Sequence, residues 1–308
     1  MNLTAVSKLT EDQARETFER IRWPNGPVCP HCRSTKAIKL EGKTVRDGLY
    51  KCHGEDCQKQ FTATVDTILE DSHLPIRTWL MAFAILCSSK KGVSALQLQR
   101  QLGLGSYRSA WHMAHRIRHA MSKEPLAGLL SGTVEVDETY VGGKPRRMRG
   151  QKKPKKGRGT KKIPVLALVE RGGKARAFKI ENVSGKTLKG AVLENVDRSS
   201  SIMTDEFGSY HAPGLKFRGG HHVVNHSKGE YVRGDASTNE VEAFFALLKR
   251  GIVGSFHHVS KKHLDRYCDE FSFRWNHRKI SDSECTIKAI KNGEGKRLLY
   301  KHPTTTND

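Results

Sequence analysis

The chain has 308 residues, with 54 Lys and Arg against 32 Asp and Glu, a formal net charge of +22. That length allows two or three domains and a sizeable core. The charge calls for a polyanionic partner, usually nucleic acid. The longest apolar run, Trp79–Cys87, is too short to span a bilayer, and the N-terminus lacks an apolar signal core, so the chain is expected in the cytoplasm, at the nucleoid, and not in a membrane.

A short amphipathic helix is expected over residues 9–22, capped at Thr10 and ending before Pro24. Cys29 and Cys32 then form one close pair, and Cys52 and Cys57 a second about twenty residues on, with strand-like fragments around Ala37–Leu40 and Leu49–Cys52. Two cysteine knuckles joined by a hairpin describe a zinc ribbon, in which four thiolates close a tetrahedral structural Zn2+ site. Seven cysteines in all, four of them so paired, suit metal binding in a reducing compartment better than a disulfide framework. Residues 1–75 are taken as this first domain.

Residues 76–125 read as helical. Ile76–Ser88 is a buried helix, residues 92–104 a helix closed by a glycine turn, and Ser106–Met121 a basic helix. Helix, short turn and basic helix is a helix-turn-helix-like pattern, and Arg108, His112 and Arg116 are its expected DNA contacts.

From about residue 126 the pattern becomes α/β. Thr133–Gly143 reads as a strand whose alternation puts Glu135, Asp137 and Thr139 on one face. Residues 144–162 hold eleven Lys or Arg and no acid. This stretch is expected to be an exposed loop that contacts phosphates through Arg146, Arg147, Lys152, Lys153, Lys155, Lys156 and Arg158. Strands Val165–Glu170 and Ala175–Glu181, a helix Leu188–Val196, and strands Ser201–Phe207 and His222–Asn225 follow. Residues 238–250 form a helix with Thr238 as its N-cap and Val241, Phe244, Phe245 and Leu248 on its apolar face. Asn239, Glu242 and Lys249 share another face, with Arg250 beside them as a further DNA contact. Ser260–Asn276 is a long amphipathic helix. The domain is expected to end near 300, leaving a tail over 301–308.

Three strands, a helix, a strand and further helices is the element order of a ribonuclease H-like fold, a mixed five-stranded sheet flanked by helices. Its first strand, fourth strand and later helix carry Asp137, Asp205 and Glu242 here. Three carboxylates suit Mg2+ or Mn2+, which prefer hard oxygen ligands, and two such ions assist phosphoryl transfer. Lys249 lies two turns beyond Glu242, in place to meet a DNA phosphate.

These motifs together resemble the zinc-ribbon DDE transposases of small bacterial insertion sequences, the ISXO2-like transposase family. The resemblance rests on Cys29-Pro-His-Cys32 with Cys57, Val134-Glu-Val-Asp-Glu-Thr-Tyr-Val-Gly-Gly-Lys144, Met203-Thr-Asp-Glu-Phe207, Thr238–Gly251, and His257–Leu264 running on to Phe273-Arg-Trp-Asn-His-Arg278. It implies a transposase that binds terminal inverted repeats of duplex DNA, cuts there and joins the 3′ ends to target DNA, working as a homo-oligomer on paired ends. By analogy Asp137, Asp205 and Glu242 are the metal ligands, with Asn239 the alternative at the third position. The competing readings are a DNA-binding regulator with a catalytically silent ribonuclease H-like domain, and a structural ribonucleoprotein component, which explains the charge but not the acids.

Overall fold

A computed structural model describes residues 1–122, 128–143, 160, 162–211, 217–224, 232–233 and 236–300. The chain divides into two compact units, Met1–Ser122 with Lys279–Asp308, and Lys123–Arg278. The expected boundaries differ in two ways. Residues 1–75 and 76–122 form one unit, and residues 279–300 belong with it rather than with the α/β unit.

The first unit opens with α1 (Leu3–Ser7) and α2 (Glu11–Arg22). Thr10 caps α2 as expected, in a reciprocal pair with Gln13. Strands β1 (Ala37–Lys39), β2 (Leu49–Cys52) and β3 (Gln60–Thr62) form a small antiparallel sheet. Trp23, Tyr50 and Phe61 pack together beneath it, with ring centroids 5.3–5.9 Å apart. The Tyr50 hydroxyl donates to buried Glu19 on α2 at 2.8 Å, joining ribbon to helix.

Helices α3 (Ile76–Ser88), α4 (Ala95–Leu102) and α5 (Tyr107–Ala120) complete the helical region. Ser94 and Ser106 cap α4 and α5, and Gly103 ends α4 with the left-handed φ of 62° that glycine adopts without penalty. Among the described residues no helix is long and apolar enough to cross a membrane.

In the second unit, β4 (Thr133–Val141), β5 (Ile163–Glu170), β6 (Ala175–Lys179), β7 (Ser201–Asp205) and β8 (His221–Val224) form a five-stranded sheet in the order β6-β5-β4-β7-β8. β4 pairs antiparallel with β5 and parallel with β7, at its centre. Helix α6 (Gly185–Asn195) covers one face, where Leu188 and Val192 meet Val134, Val136, Leu166 and Leu168. Two further strands, β9 (Val232–Arg233) and β10 (Ala236–Ser237), pair as a hairpin. Helices α7 (Asn239–Gly251) and α8 (Leu264–Asn276) cover the other face through Val241, Phe244, Leu248, Leu264 and Phe271 against Val165, Ala167 and Val169. The strand alternation read from the sequence is therefore the observed one, with even positions of β4 toward α6 and odd positions toward α7.

The last helix, α9 (Asp282–Lys291), lies in the first unit against α3. The turn after it docks through Ile68 N–H to Gly293 O at 3.0 Å and Gly295 N–H to Asp66 O at 2.9 Å. Glu294 also meets the buried Arg22 guanidinium at 3.3 Å. Truncation after Arg278 should thus expose the first unit while sparing the α/β unit. Hydrogen exchange by mass spectrometry checks this: faster exchange in α3 and β3, with β4–β7 unchanged, is the expected outcome.

Candidate active site and metal centres

The register between β4 and β7 builds the acid site. Glu135 lies opposite Met203, Asp137 and Asp205 follow two residues further along their strands, and the Asp205 carboxylate is near enough for its charge to act on Asp137. Asp137 is part of the sheet's central strand, half-buried, and its Oδ1 accepts the Glu138 N–H at 2.7 Å. Its carboxyl is pushed up to about 8, first by burial and then by the neighbouring carboxylates Glu138, Asp205 and Glu242. Asp205 closes β7 and accepts the Phe207 N–H at 3.0 Å. Glu242 is exposed in the first turn of α7 and accepts the Thr238 hydroxyl at 3.1 Å.

The other members of the helix face are where the sequence put them. Asn239, Lys249 and Arg250 are exposed on α7, with the Lys249 ammonium 5.9 Å from the Phe245 ring. Thr238 does not cap the helix with its side chain, contrary to expectation. It is 2% exposed, its hydroxyl is spent on Glu242, and the amides it would have met are taken by Glu135.

Two acids near Asp137 that the sequence does not single out as site residues also take part. Glu135 is fully buried and paired to Arg171 at 3.0 Å. Glu138 points to the α6 side, where the buried Tyr210 hydroxyl donates to it at 2.7 Å. Burial, then the charge of Glu138, holds the Tyr210 phenol well above its ordinary value, so it remains a proton donor. The signal for both was present in the alternation of β4, but their partners lie 36 and 72 residues away.

These carboxylates have the donor chemistry that magnesium or manganese needs. Asp137 has a raised carboxyl and a single hydrogen bond among the described residues, so a divalent cation would relieve its repulsion from Asp205 and Glu242. The side chains are nonetheless more open than at the cysteines. Among the described residues the one group of three or more potential ligands with atoms all within 4.8 Å of one another is Cys29, Cys32, Cys52 and Cys57.

The four sulfurs fit zinc. Cys29 and Cys57 Sγ are 3.7 Å apart and Cys32 and Cys52 Sγ 3.5 Å apart. A tetrahedron with Zn–S bonds of about 2.3 Å has edges of about 3.8 Å. The Gly54 N–H donates to Cys52 Sγ at 3.2 Å, and a Cβ on Gly54 would lie 3.3 and 3.4 Å from the Cys52 and Cys32 sulfurs. A side chain there would press on the two sulfurs and push them by a few tenths of an ångström.

The helix-turn-helix-like region requires one correction. Arg116 is 6% exposed, donates to the Glu70 carbonyl and lies 5.5 Å from the Trp79 ring centroid, so it is a packing residue rather than one offered to DNA. Arg108 is exposed and 5.5 Å from the Tyr300 ring, and His112 hydrogen-bonds the Leu298 carbonyl at 3.2 Å. Arg146, Arg147, Lys152, Lys153, Lys155, Lys156 and Arg158 lie outside the described residues.

A mixed sheet in the order β6-β5-β4-β7-β8, with acids on the adjacent first and fourth strands, is a ribonuclease H-like domain, here preceded by a four-cysteine zinc ribbon and helices. Residues 129–276 match the ISXO2-like transposase domain, and residues 9–60 the transposase zinc-ribbon domain. The chain thus carries an ISXO2-like transposase domain behind a transposase zinc-ribbon domain. It is similar to an uncharacterized protein in transposable element ISH50 of Halobacterium salinarum, 28% identical over 278 residues, covering 86% of this chain and 91% of that one. Two solved structures overlap it weakly. The Mos1 strand transfer complex shares 14% identity at a TM-score of 0.29, covering 68% of this chain and 73% of that chain. A pre-cleavage Mos1 transpososome shares 12% at 0.20, covering 70% and 79%.

The raised Asp137 carboxyl has a consequence for stability. Unfolding returns it to its ordinary 3.8, so between 3.8 and about 8 the folded chain keeps a proton that the unfolded chain releases. Metal-free stability should fall as pH rises through that window. Asp137→Asn should flatten the fall in thermal unfolding measured across pH; an unaltered profile contradicts the assignment. At the ribbon, Cys52→Ser should lose bound zinc by metal analysis and make residues 28–62 more sensitive to protease.

Proposed function

We propose that this chain is the transposase of an insertion sequence. It binds the element's terminal inverted repeats, cleaves the DNA there and joins the freed 3′ ends to target DNA by phosphoryl transfer that depends on divalent metal. The observation that carries this reading is that Asp137 and Asp205 each lie two residues beyond the Glu135–Met203 pair of adjacent parallel strands, with Asp205 and Glu242 near enough for their charges to act on Asp137.

Asp137, Asp205 and Glu242 hold the metals, with Asn239, one turn before Glu242, the alternative third ligand. When bound, two Mg2+ or Mn2+ ions supply activation of the attacking oxygen and stabilisation of the leaving oxygen. The chain's own residues do the rest. The sheet fixes the two aspartates relative to each other, and burial keeps bulk water from one side of them. Lys249 and Arg250, exposed on the same helix, receive a DNA phosphate. Arg108 and His112 on α5 and the basic residues of 144–162 bind the duplex through phosphates. Zn2+ at the four cysteines is structural, because a closed four-sulfur site leaves no position for substrate. Pairing two DNA ends requires at least two copies of the chain, and the protein works at the nucleoid.

The test is purified protein with duplex DNA carrying the element's ends. Wild type should nick and transfer strands with Mg2+ or Mn2+. Asp137→Asn and Asp205→Asn should each bind the ends but cleave about a thousandfold more slowly or worse, as expected when several kcal/mol of metal-borne stabilisation are lost. End binding with no nicking by the wild type would favour the regulator instead, and equal cleavage by the variants would refute the acid site.

A further inference from the structure

Glu135 is fully buried on the same face of β4 as Asp137. A buried carboxylate is costly unless every acceptor position is met. Here they are. Arg171 approaches Oε1 through Nη2 at 3.0 Å and Nε at 3.3 Å, and the Ser237 hydroxyl donates to the same oxygen at 3.4 Å. Oε2 accepts the Glu240 and Val241 N–H groups at 2.8 and 3.1 Å. Those are the free amides of the first turn of α7, where the positive end of the helix dipole also favours an anion. The helix is therefore capped not by Thr238 but by a strand residue more than 100 positions away.

We propose that Glu135 is a positioning residue for metal-dependent cleavage: its carboxylate fixes the start of α7 to β4 and thereby sets the distance from Asp137 to Glu242. One strand holds both the first ligand and the clamp for the helix that presents the third. Glu242 lies one residue beyond the gripped Val241 amide, so a slide or rotation of α7 moves Glu242 directly. Thr238 transmits the same constraint, because it precedes the clamp and its hydroxyl holds Glu242 Oε1 at 3.1 Å. Arg171 completes the clamp by also bonding the Ser237 hydroxyl at 3.0 Å, which ties down the chain entering the helix. Glu135 is not itself a further ligand, since both its oxygens are committed to donors. The inference rests on the assignment of Glu242 as the third ligand.

The test uses the full chain and reads metal binding without turnover. Glu135→Gln keeps the size of the side chain and removes the charge that Arg171 and the helix amides share. Mn2+ affinity, measured by electron paramagnetic resonance, should weaken about tenfold or more, the usual cost of losing a group that orients a ligand. Hydrogen exchange should quicken at the Glu240 and Val241 amides, while binding of duplex ends stays unchanged. Glu242→Gln is measured in parallel. Lost Mn2+ affinity in Glu242→Gln but wild-type affinity in Glu135→Gln overturns the proposal alone. Wild-type affinity in Glu242→Gln overturns the ligand assignment and the proposal with it. Should Glu135→Gln fail to fold, Arg171→Gln, on a partly exposed side chain, is read the same way, and unchanged Mn2+ affinity there overturns the proposal.

Discussion

Three carboxylates within four residues of a central strand, Glu135, Asp137 and Glu138, are the constraint on which the α/β unit depends. Burial penalises each charge, and each is met differently. Glu135 has Arg171 and the amides of α7. Glu138 has the Tyr210 hydroxyl on the opposite face. Asp137 has one backbone N–H among the described residues, and its carboxyl holds its proton up to about 8. Among the described residues Asp137 thus has fewer hydrogen bonds than Glu135, and the proposed cation would meet the charge that the chain leaves exposed to repulsion there.

The same strand explains why the helices stand where they do. Even positions of β4 pack against α6 and odd positions face α7, so the apolar residues Val134 and Val136 secure one layer while Glu135 fastens the other. Val241, Phe244 and Leu248 supply the area that docks α7, and the Glu135 clamp supplies its register along the strand. Apolar packing is nondirectional and tolerates a slide; paired hydrogen bonds to two consecutive amides do not.

Much of this was legible in the sequence because it is local or periodic. The cysteine spacing gave the ribbon, the period-two pattern of β4 gave the face shared by Glu135 and Asp137, and the spacing of Val241, Phe244, Phe245 and Leu248 gave the buried face of α7. The rest depends on partners far along the chain. Thr238 has the residue type of an N-cap, yet Glu135 occupies the amides it would have used. Arg116 reads as one more cation on a basic helix, and only packing against α3 reveals that Trp79 and the Glu70 carbonyl surround it. Helix α9 has good local signals, Ser281 and Glu284 in a reciprocal cap, but its membership in the first unit is set by Gly293 and Gly295 meeting Ile68 and Asp66.

Replacing magnesium with Fe2+ and adding ascorbate and peroxide tests the central claim most directly, because hydroxyl radicals cut the backbone beside the bound metal. Fragments mapped by mass spectrometry should end near Asp137, Asp205 and Glu242, and excess Mg2+ should suppress them. Scission confined to other segments, or cuts near Asp137 and Asp205 with none in the first turn of α7, would contradict the three-carboxylate site.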